Sequence, residues 1–255
     1  EVAAASVDLS IPVLINSFGA HLLEKVAPPQ LRERYLPGLI AGEQFVSIGI
    51  SEPGAGSNVL EVRTRARRDG DHWVISGEKT WISNGAYSDF LICTCRTSDD
   101  PRGGLTHILI DRHEHGYDVQ GIDKIALNTQ STAQIFLDEV RVPVANTIGE
   151  AGQALRATLA LFEKSRAFVA MQSVGLARRA LARCAEAGVV FHGLASAEDI
   201  ACGGPRLNMG LVACIFTAYP AVRCAADEEE DGAPTPAGAG AGAGAPALSV
   251  APDFE

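Results

Sequence analysis

A chain of 255 residues can hold one large domain or two modest ones around a sizeable core. Its 47% hydrophobic and 20% charged content is that of a globular protein, and a net charge of −10 lacks the basic footprint of a nucleic-acid binder. No 18-residue apolar run suggests a membrane span, and nothing resembles a signal peptide.

The first residues read as helix, with apolar positions three and four apart through Ile11, Val13, Leu14, Leu22 and Leu23. Pro28-Pro29 punctuates this pattern before a second helical stretch that includes Leu31–Leu36. The chain begins with Glu1, and it reads as an interior piece of a longer polypeptide.

Residues 48–58 then form a short apolar run closed by Ser51, Glu52 and Pro53, followed by a loop with Gly54, Gly56 and Ser57. Small residues there let backbone N–H groups come close to a flat or anionic ligand. A plain turn accounts for the same composition. Next, Thr64–Ser76 gives two alternating runs joined by Asp69-Gly70, a short-range hairpin signal. Trp81 and Ser83 follow two residues apart on one strand, which places both on one face.

Strand-like runs at Phe90–Arg96, Leu105–Asp111 and Gln134–Phe136, with loops at 98–104 and 113–116, predict an all-β unit, sandwich or barrel. Val74, Ile92, Leu109 and Ile135 are its expected inward residues. The six cysteines (Cys93, Cys95, Cys184, Cys202, Cys214 and Cys224) show no CxxC spacing, so neither a zinc site nor a disulfide framework is expected. Cys93 and Cys95 read as small side chains sharing a strand face. His72, His107, His113, His115 and His192 form no triad or metal pattern, and they are assigned no role.

From residue 151 to 188 a helix period returns, with Leu155, Leu159, Phe162, Phe168, Val169, Leu176 and Leu181 as its apolar face and Gly175 marking close packing. Leu207–Ala226 offers a further apolar helix interrupted by Pro220. The acidic run Asp227–Asp231 reads as solvated, and the Gly/Ala/Pro-rich stretch beyond it as disordered.

Taken together and in this order, Ser-Glu-Pro-Gly-Ala-Gly-Ser-Asn at 51–58 and Trp-Ile-Ser-Asn-Gly at 81–85 resemble two acyl-CoA dehydrogenase family signatures, TEPGAGSD and W-I-(T/S)-N-(A/G). Gln30–Glu43 is similar to the family's connector into its central domain, and Phe162–Arg166 to its F-D-K-T-R helix segment. Arg141–Pro143 and Ile148–Glu150 resemble its exit from that domain.

The resemblance implies an α+β fold with a central all-β domain flanked by partial helical domains. The expected division is a helical remnant at 1–43, the β domain at 44–150, a shortened helical domain at 151–230 and a low-complexity tail at 231–255. The implied activity is FAD-dependent α,β-dehydrogenation of an acyl-CoA thioester, with hydride passing to flavin N5 and the α-proton to a carboxylate. By motif position, Ile48, Ile50, Ser51, Gly56, Ser57, Trp81, Ile82 and Ser83 would contact FAD. Ser57, Glu163 and Arg166 would face acyl-CoA.

Several motif positions depart from the family. Ser165 stands where some members carry the base, so no residue is assigned that role. R-x-x-F-G becomes Gly188–His192, keeping only Phe191, and Asn128–Thr132 matches R-x-S-x-T without its arginine. Reduced activity is therefore expected. Two other readings stay open: a flavin oxidase or hydroxylase of a biosynthetic pathway, and a non-catalytic binding module. The resemblance further implies lipid or fatty acid metabolism, electron-transfer flavoprotein as acceptor, a homo-oligomer, and a cytoplasmic or mitochondrial-matrix location.

Overall fold

The computed structural model describes residues 2–100 and 103–186, all within a unit that spans Glu1–Asn208. The sequence readings at Gly188–His192, Leu207–Ala226, the acidic run and the tail lie outside the described residues.

Three helices open the chain: α1 (Val2–Ala5), α2 (Val7–Val26) and α3 (Pro29–Ala41). Pro29 sits at the start of α3, where its missing N–H costs nothing and its fixed φ suits the first turn. Leu31, Tyr35 and Leu39, spaced four apart, form the buried face of α3. The Tyr35 hydroxyl donates to Asp111 Oδ2 at 2.9 Å, and burial raises its pKa further than this contact does.

The strands are β1 (Val46–Gly49), β2 (Arg65–Asp69), β3 (His72–Ser83), β4 (Phe90–Arg96) and β5 (Leu105–Asp111). The one-turn helix α4 (Arg112–His115) precedes β6 (Asp118–Gly121), β7 (Thr132–Pro143) and β8 (Thr147–Ile148), and α5 (Ala154–Glu186) follows. All eight strands form one mixed sheet in the order β6-β7-β3-β2-β4-β5-β8, with β1 paired parallel to β4.

The hairpin joining β2 to β3 lies where the sequence placed it. Asp69 pairs with His72, and Gly70 takes the positive φ (63°) that such a tight loop demands.

The sheet buries both faces. On one, Leu91 and Cys93 of β4 meet Ile108 and Ile110 of β5 and Ile75, Ile82, Ile135 and Val142 of β3 and β7. On the other, Phe90, Ile92, Leu109 and Val46 pack beneath Leu22, Leu23, Tyr35 and Leu161 of the helices. This corrects the expected inward set, because Ile92 and Leu109 face the helices while Ile135 faces the inner core. Strands covered on both sides read as unbroken apolar runs, which is why β4 and β5 show little alternation.

Two further expectations change. The stretch 113–116 is not simply a loop, because Asp111 Oδ1 accepts from the N–H groups of His113 (2.9 Å) and Glu114 (3.1 Å) and starts α4. In α5 the apolar side chains chosen from the sequence are largely outward: Leu159, Phe168, Val169 and Leu176 are about half exposed. The buried line is instead Ala154, Thr158, Leu161 and Ser165, a narrower stripe whose small members let the helix lie close to its neighbours. Gly175 is buried, as expected of a packing position.

Among the described residues no helix is long and apolar enough to cross a membrane, and no His, Cys, Asp and Glu group is arranged to hold a metal ion.

Candidate functional site

Two of the segments singled out in the sequence meet. Thr80 N–H donates to the Ser51 carbonyl at 2.9 Å, which joins the loop after β1 to the middle of β3. The loop closes on itself through reciprocal backbone bonds between Glu52 and Ala55 (2.9 and 3.0 Å). Asn58 then ends it, its side chain accepting from Leu60 N–H at 3.2 Å.

Within this arrangement Ile48, Ile50 and Ser51 are half-buried, while Gly56 and Ser57 are exposed. A side chain added at Gly54 or Gly56 would meet nothing within 4 Å, so the backbone there is open to approach.

Trp81 does not lie on a regular strand. Lys79 pairs with Ile135 and Ile82 with Ala133, so β3 carries one extra residue between them, a β-bulge. Trp81 absorbs it with φ 60°, a left-handed conformation that costs an aromatic residue of order 1–3 kcal/mol. The bulge re-aims the indole outward, leaving Trp81 62% exposed, while Ile82 is buried in the inner core and Ser83 is half-buried. The expectation that Trp81 and Ser83 share a face by simple strand alternation therefore does not carry over, because the bulge interrupts that alternation at Trp81. Ile82 itself presents its side chain to the core, so any ligand contact from it falls to its backbone.

Asn84 closes the segment. It is buried with φ 64°, donates from Nδ2 to the Val46 carbonyl (3.1 Å) and accepts from the Tyr87 hydroxyl (2.7 Å). Its own N–H donates to the Ser131 carbonyl at 3.0 Å, and Ala86 N–H donates to Ser131 Oγ at 3.2 Å. The Asn128–Thr132 loop is thus brought against the turn after Ser83. Lys124 braces that loop from Nζ, donating to the Gln130 carbonyl (2.6 Å) and to Thr132 Oγ1 (2.8 Å).

Glu163 and Arg166 stand apart from this face. Ala154, at the start of α5, packs with Ala55 of the loop. Glu163 lies nine residues further along the helix, roughly 13 Å by helical rise. Glu163 and Arg166 are exposed, and no ion pair joins them among the described residues. Glu163 lines a cleft of about 560 Å³ with Gly152, Gln153, Leu155, Arg156 and Leu159. None of residues 48–57 or 81–83 borders that cleft. Ser165 lies 8% exposed on the buried line of α5, its hydroxyl donating to the Phe162 carbonyl at 3.0 Å.

Sequence reasoning missed the groups that hold this site. Glu52 and Lys79 form a buried ion pair at 2.7 Å beneath the loop. Burial opposes the charge on Glu52, but the Lys79 ammonium and the hydrogen bonds from Thr64 and Arg63 together outweigh it and hold the carboxyl below its ordinary pKa. Asn84 carried a legible signal, since Asn-Gly favours left-handed backbone. Lys79 carried none, because lysine in a strand ordinarily reads as a surface residue.

The family model of the acyl-CoA dehydrogenase middle domain matches residues 47–140, which hold most of the sheet and both signature segments. The chain belongs to the acyl-CoA dehydrogenase family. Among relatives in this family, cyclohexane-1-carbonyl-CoA dehydrogenase of Syntrophus aciditrophicus (strain SB) is 33% identical over 186 residues, 72% of this chain and 48% of that protein.

Two solved family structures share the fold. A glutaryl-coenzyme A dehydrogenase in complex with glutaryl-CoA superposes with TM-score 0.71 at 31% identity, covering 72% of this chain and 48% of its own. A glutaryl-CoA dehydrogenase from Mycobacterium smegmatis in complex with FADH2 gives 0.64 at 28% identity, covering 70% and 45%. The chain thus spans about half the length of the family members it matches.

The residues present fit one side of a flavin. An outward indole held at a costly backbone angle, a hydroxyl at Ser83 and a side-chain-free loop at Gly54 and Gly56 suit a flat ring with a phosphate tail.

Proposed function

We propose that this chain forms the central part of an FAD-dependent dehydrogenase acting on an acyl-CoA thioester. The observation that carries the reading is the bond from Thr80 N–H to the Ser51 carbonyl, which sets the glycine loop beside an outward Trp81 on a bulge. Bound FAD supplies the acceptor for the two electrons removed from the thioester.

The protein's share is to seat the cofactor and exclude water. Ser51 and Ser83 supply polar contacts to the ring, Trp81 walls its edge, and the backbone around Ile48, Ile50, Gly56 and Ile82 completes the surface. Ser57, Glu163 and Arg166 lie toward acyl-CoA in this reading, with Glu163 reaching it through the α5 cleft it lines.

Proton removal from the thioester needs a carboxylate near its Cα. Ser165 offers only a hydroxyl already bound to Phe162, so the described residues favour weak dehydrogenation. A homo-oligomer passing electrons to an electron-transfer flavoprotein, in a cytoplasmic or matrix setting of lipid metabolism, completes the proposal.

The test is to purify the chain, add FAD and record its visible spectrum, then add acyl-CoA thioesters without oxygen. Retained flavin with slow bleaching is expected. Failure to retain any flavin sinks the proposal and leaves the binding-module reading. Retained flavin that no acyl-CoA bleaches, but that turns over oxygen with another substrate, supports the oxidase or hydroxylase reading.

A further inference from the structure

Glu52 and Lys79 take no part in the ligand contacts above, yet theirs is the most deeply buried ion pair among the described residues. Their side chains are 7% and 0% exposed. Lys79 Nζ donates to Glu52 Oε1 at 2.7 Å and to the Ile50 carbonyl at 3.2 Å. Glu52 also accepts from Thr64 N–H on Oε1 (2.9 Å) and from Arg63 N–H on Oε2 (2.7 Å). Four contacts thus knot three separate stretches of chain: 50–52, 63–64 and 79.

Stability alone gives little reason for such a knot. Removing two charges from water costs several kcal/mol apiece, and a well-packed apolar pair often serves as well or better. What a directional pair adds is register. Here the position matters, because the extra residue of β3 lies immediately after Lys79, and Thr80 is bound to Ser51. Asn84 pins the far side of the same segment through Val46 and Ser131. With Lys79 released, the extra residue can be absorbed elsewhere in β3, and Trp81 loses the reason for its left-handed backbone.

We propose that Glu52 and Lys79 are positioning residues that together fix the bulge at Trp81 and the set of the Ser51–Ser57 loop. The inference rests on the flavin reading only for what those two segments face. The pair itself touches no ligand in that reading and acts through the backbone.

Glu52→Gln and Lys79→Met, made separately in the full chain, test it through amide hydrogen exchange without added flavin. The N–H groups of Glu52, Ala55 and Thr80 should lose protection by roughly tenfold or more, while those of Cys93 and Ile108 keep their rates. Equal acceleration everywhere would reduce the pair to a general stabiliser, and unchanged rates at 52, 55 and 80 would remove the role altogether. Should Lys79→Met not fold, Glu52→Gln, which keeps shape and one acceptor oxygen, carries the test.

The second arm titrates FAD and reads affinity and the shape of the visible band. Both variants should bind about tenfold more weakly with an altered band. Thr94→Val, buried elsewhere in the sheet, should lower the melting temperature and leave both readings in place. If the unmodified chain takes up no FAD, the flavin reading falls while the exchange rates still decide the positioning role.

Discussion

His107 Nε2 lies 3.2 Å from Thr158 Oγ1, so a buried imidazole joins the sheet to the long helix α5. Its other nitrogen meets Thr94 Oγ1 at 3.1 Å, and the ring is 1% exposed. Burial, with a smaller push from the Lys79 charge, lowers the His107 pKa to about 4. The ring is neutral at pH 7, and both nitrogens are satisfied by hydroxyls.

The sign of the pH effect follows from that lowered value. An unfolded chain binds a proton at this histidine near pH 6.5, but the folded chain does so only near pH 4. Between those values the unfolded state holds more protons, so stability falls as pH falls. The expected loss is on the order of 3 kcal/mol, most of it reached by pH 4 and the rest below it. Melting temperatures measured from pH 7 to pH 4 should show it, and His107→Asn should flatten that slope while lowering stability at pH 7. A slope unchanged in the variant would assign the acid sensitivity to other groups.

Gly77 tests the other end of β3. It sits at φ 148°, and an added Cβ would lie 2.7 Å from the Thr64 Cα, a backbone atom that cannot swing aside. Gly77→Ala should therefore cost roughly 2–4 kcal/mol, from backbone strain and a forced shift of β3 against Thr64. Denaturant unfolding would show this as a lower midpoint at similar slope. A loss below about 0.5 kcal/mol would mean that the strand relaxes easily at this point.

How far the sequence disclosed this arrangement depends on what each feature answers to. β4 and β5 were legible to the residue, because Phe90–Arg96 and Leu105–Asp111 are apolar runs bounded by turn residues. Gly70 showed the hairpin for a local steric reason. The two-sided burial of those strands was not legible, since a continuous apolar run does not say what covers each face. The bulge at Trp81 was hidden for a stronger reason. It depends on Ser51, Asn84 and Lys79, and those contacts span 27 to 38 residues of chain in the bonds Lys79–Glu52 and Asn84–Val46. Leu159 and Phe168 misled because a long helix shows its largest apolar residues first, whereas Ala154, Thr158 and Ser165 lie on the face it buries.

That difference between size and placement on α5 is measurable. Leu161 is 4% exposed among the helix-facing core, so Leu161→Ala should cost about 2–4 kcal/mol. Phe168 is 47% exposed, and Phe168→Ala should cost under about 1 kcal/mol in the isolated chain. Thermal or urea unfolding of the two variants side by side decides it. A larger loss at Phe168 than at Leu161 would show that the outward face is covered by another surface in solution.

Ser165 gives the sharpest test of the chemistry. It occupies the buried line of α5, 8% exposed, with its hydroxyl donating to the Phe162 carbonyl, and a neutral hydroxyl with no adjacent base is far too weakly basic to take a proton from a thioester. Ser165→Glu places a carboxyl where water is scarce, and burial raises its pKa into the range useful for a base. The same burial costs stability, and a melting temperature lower by several degrees is expected. Positioned bases contribute about 10²–10⁴ in rate, so anaerobic bleaching by acyl-CoA should quicken by at least roughly tenfold if the residue faces the thioester. The comparison needs FAD present in both proteins at equal occupancy, measured by absorbance before acyl-CoA is added. Faster bleaching in the variant would identify the missing carboxylate as the reason for weak turnover. Equal occupancy with no gain in rate would show that this position does not reach the substrate, and rapid bleaching by the unmodified chain would show that the base lies elsewhere in it.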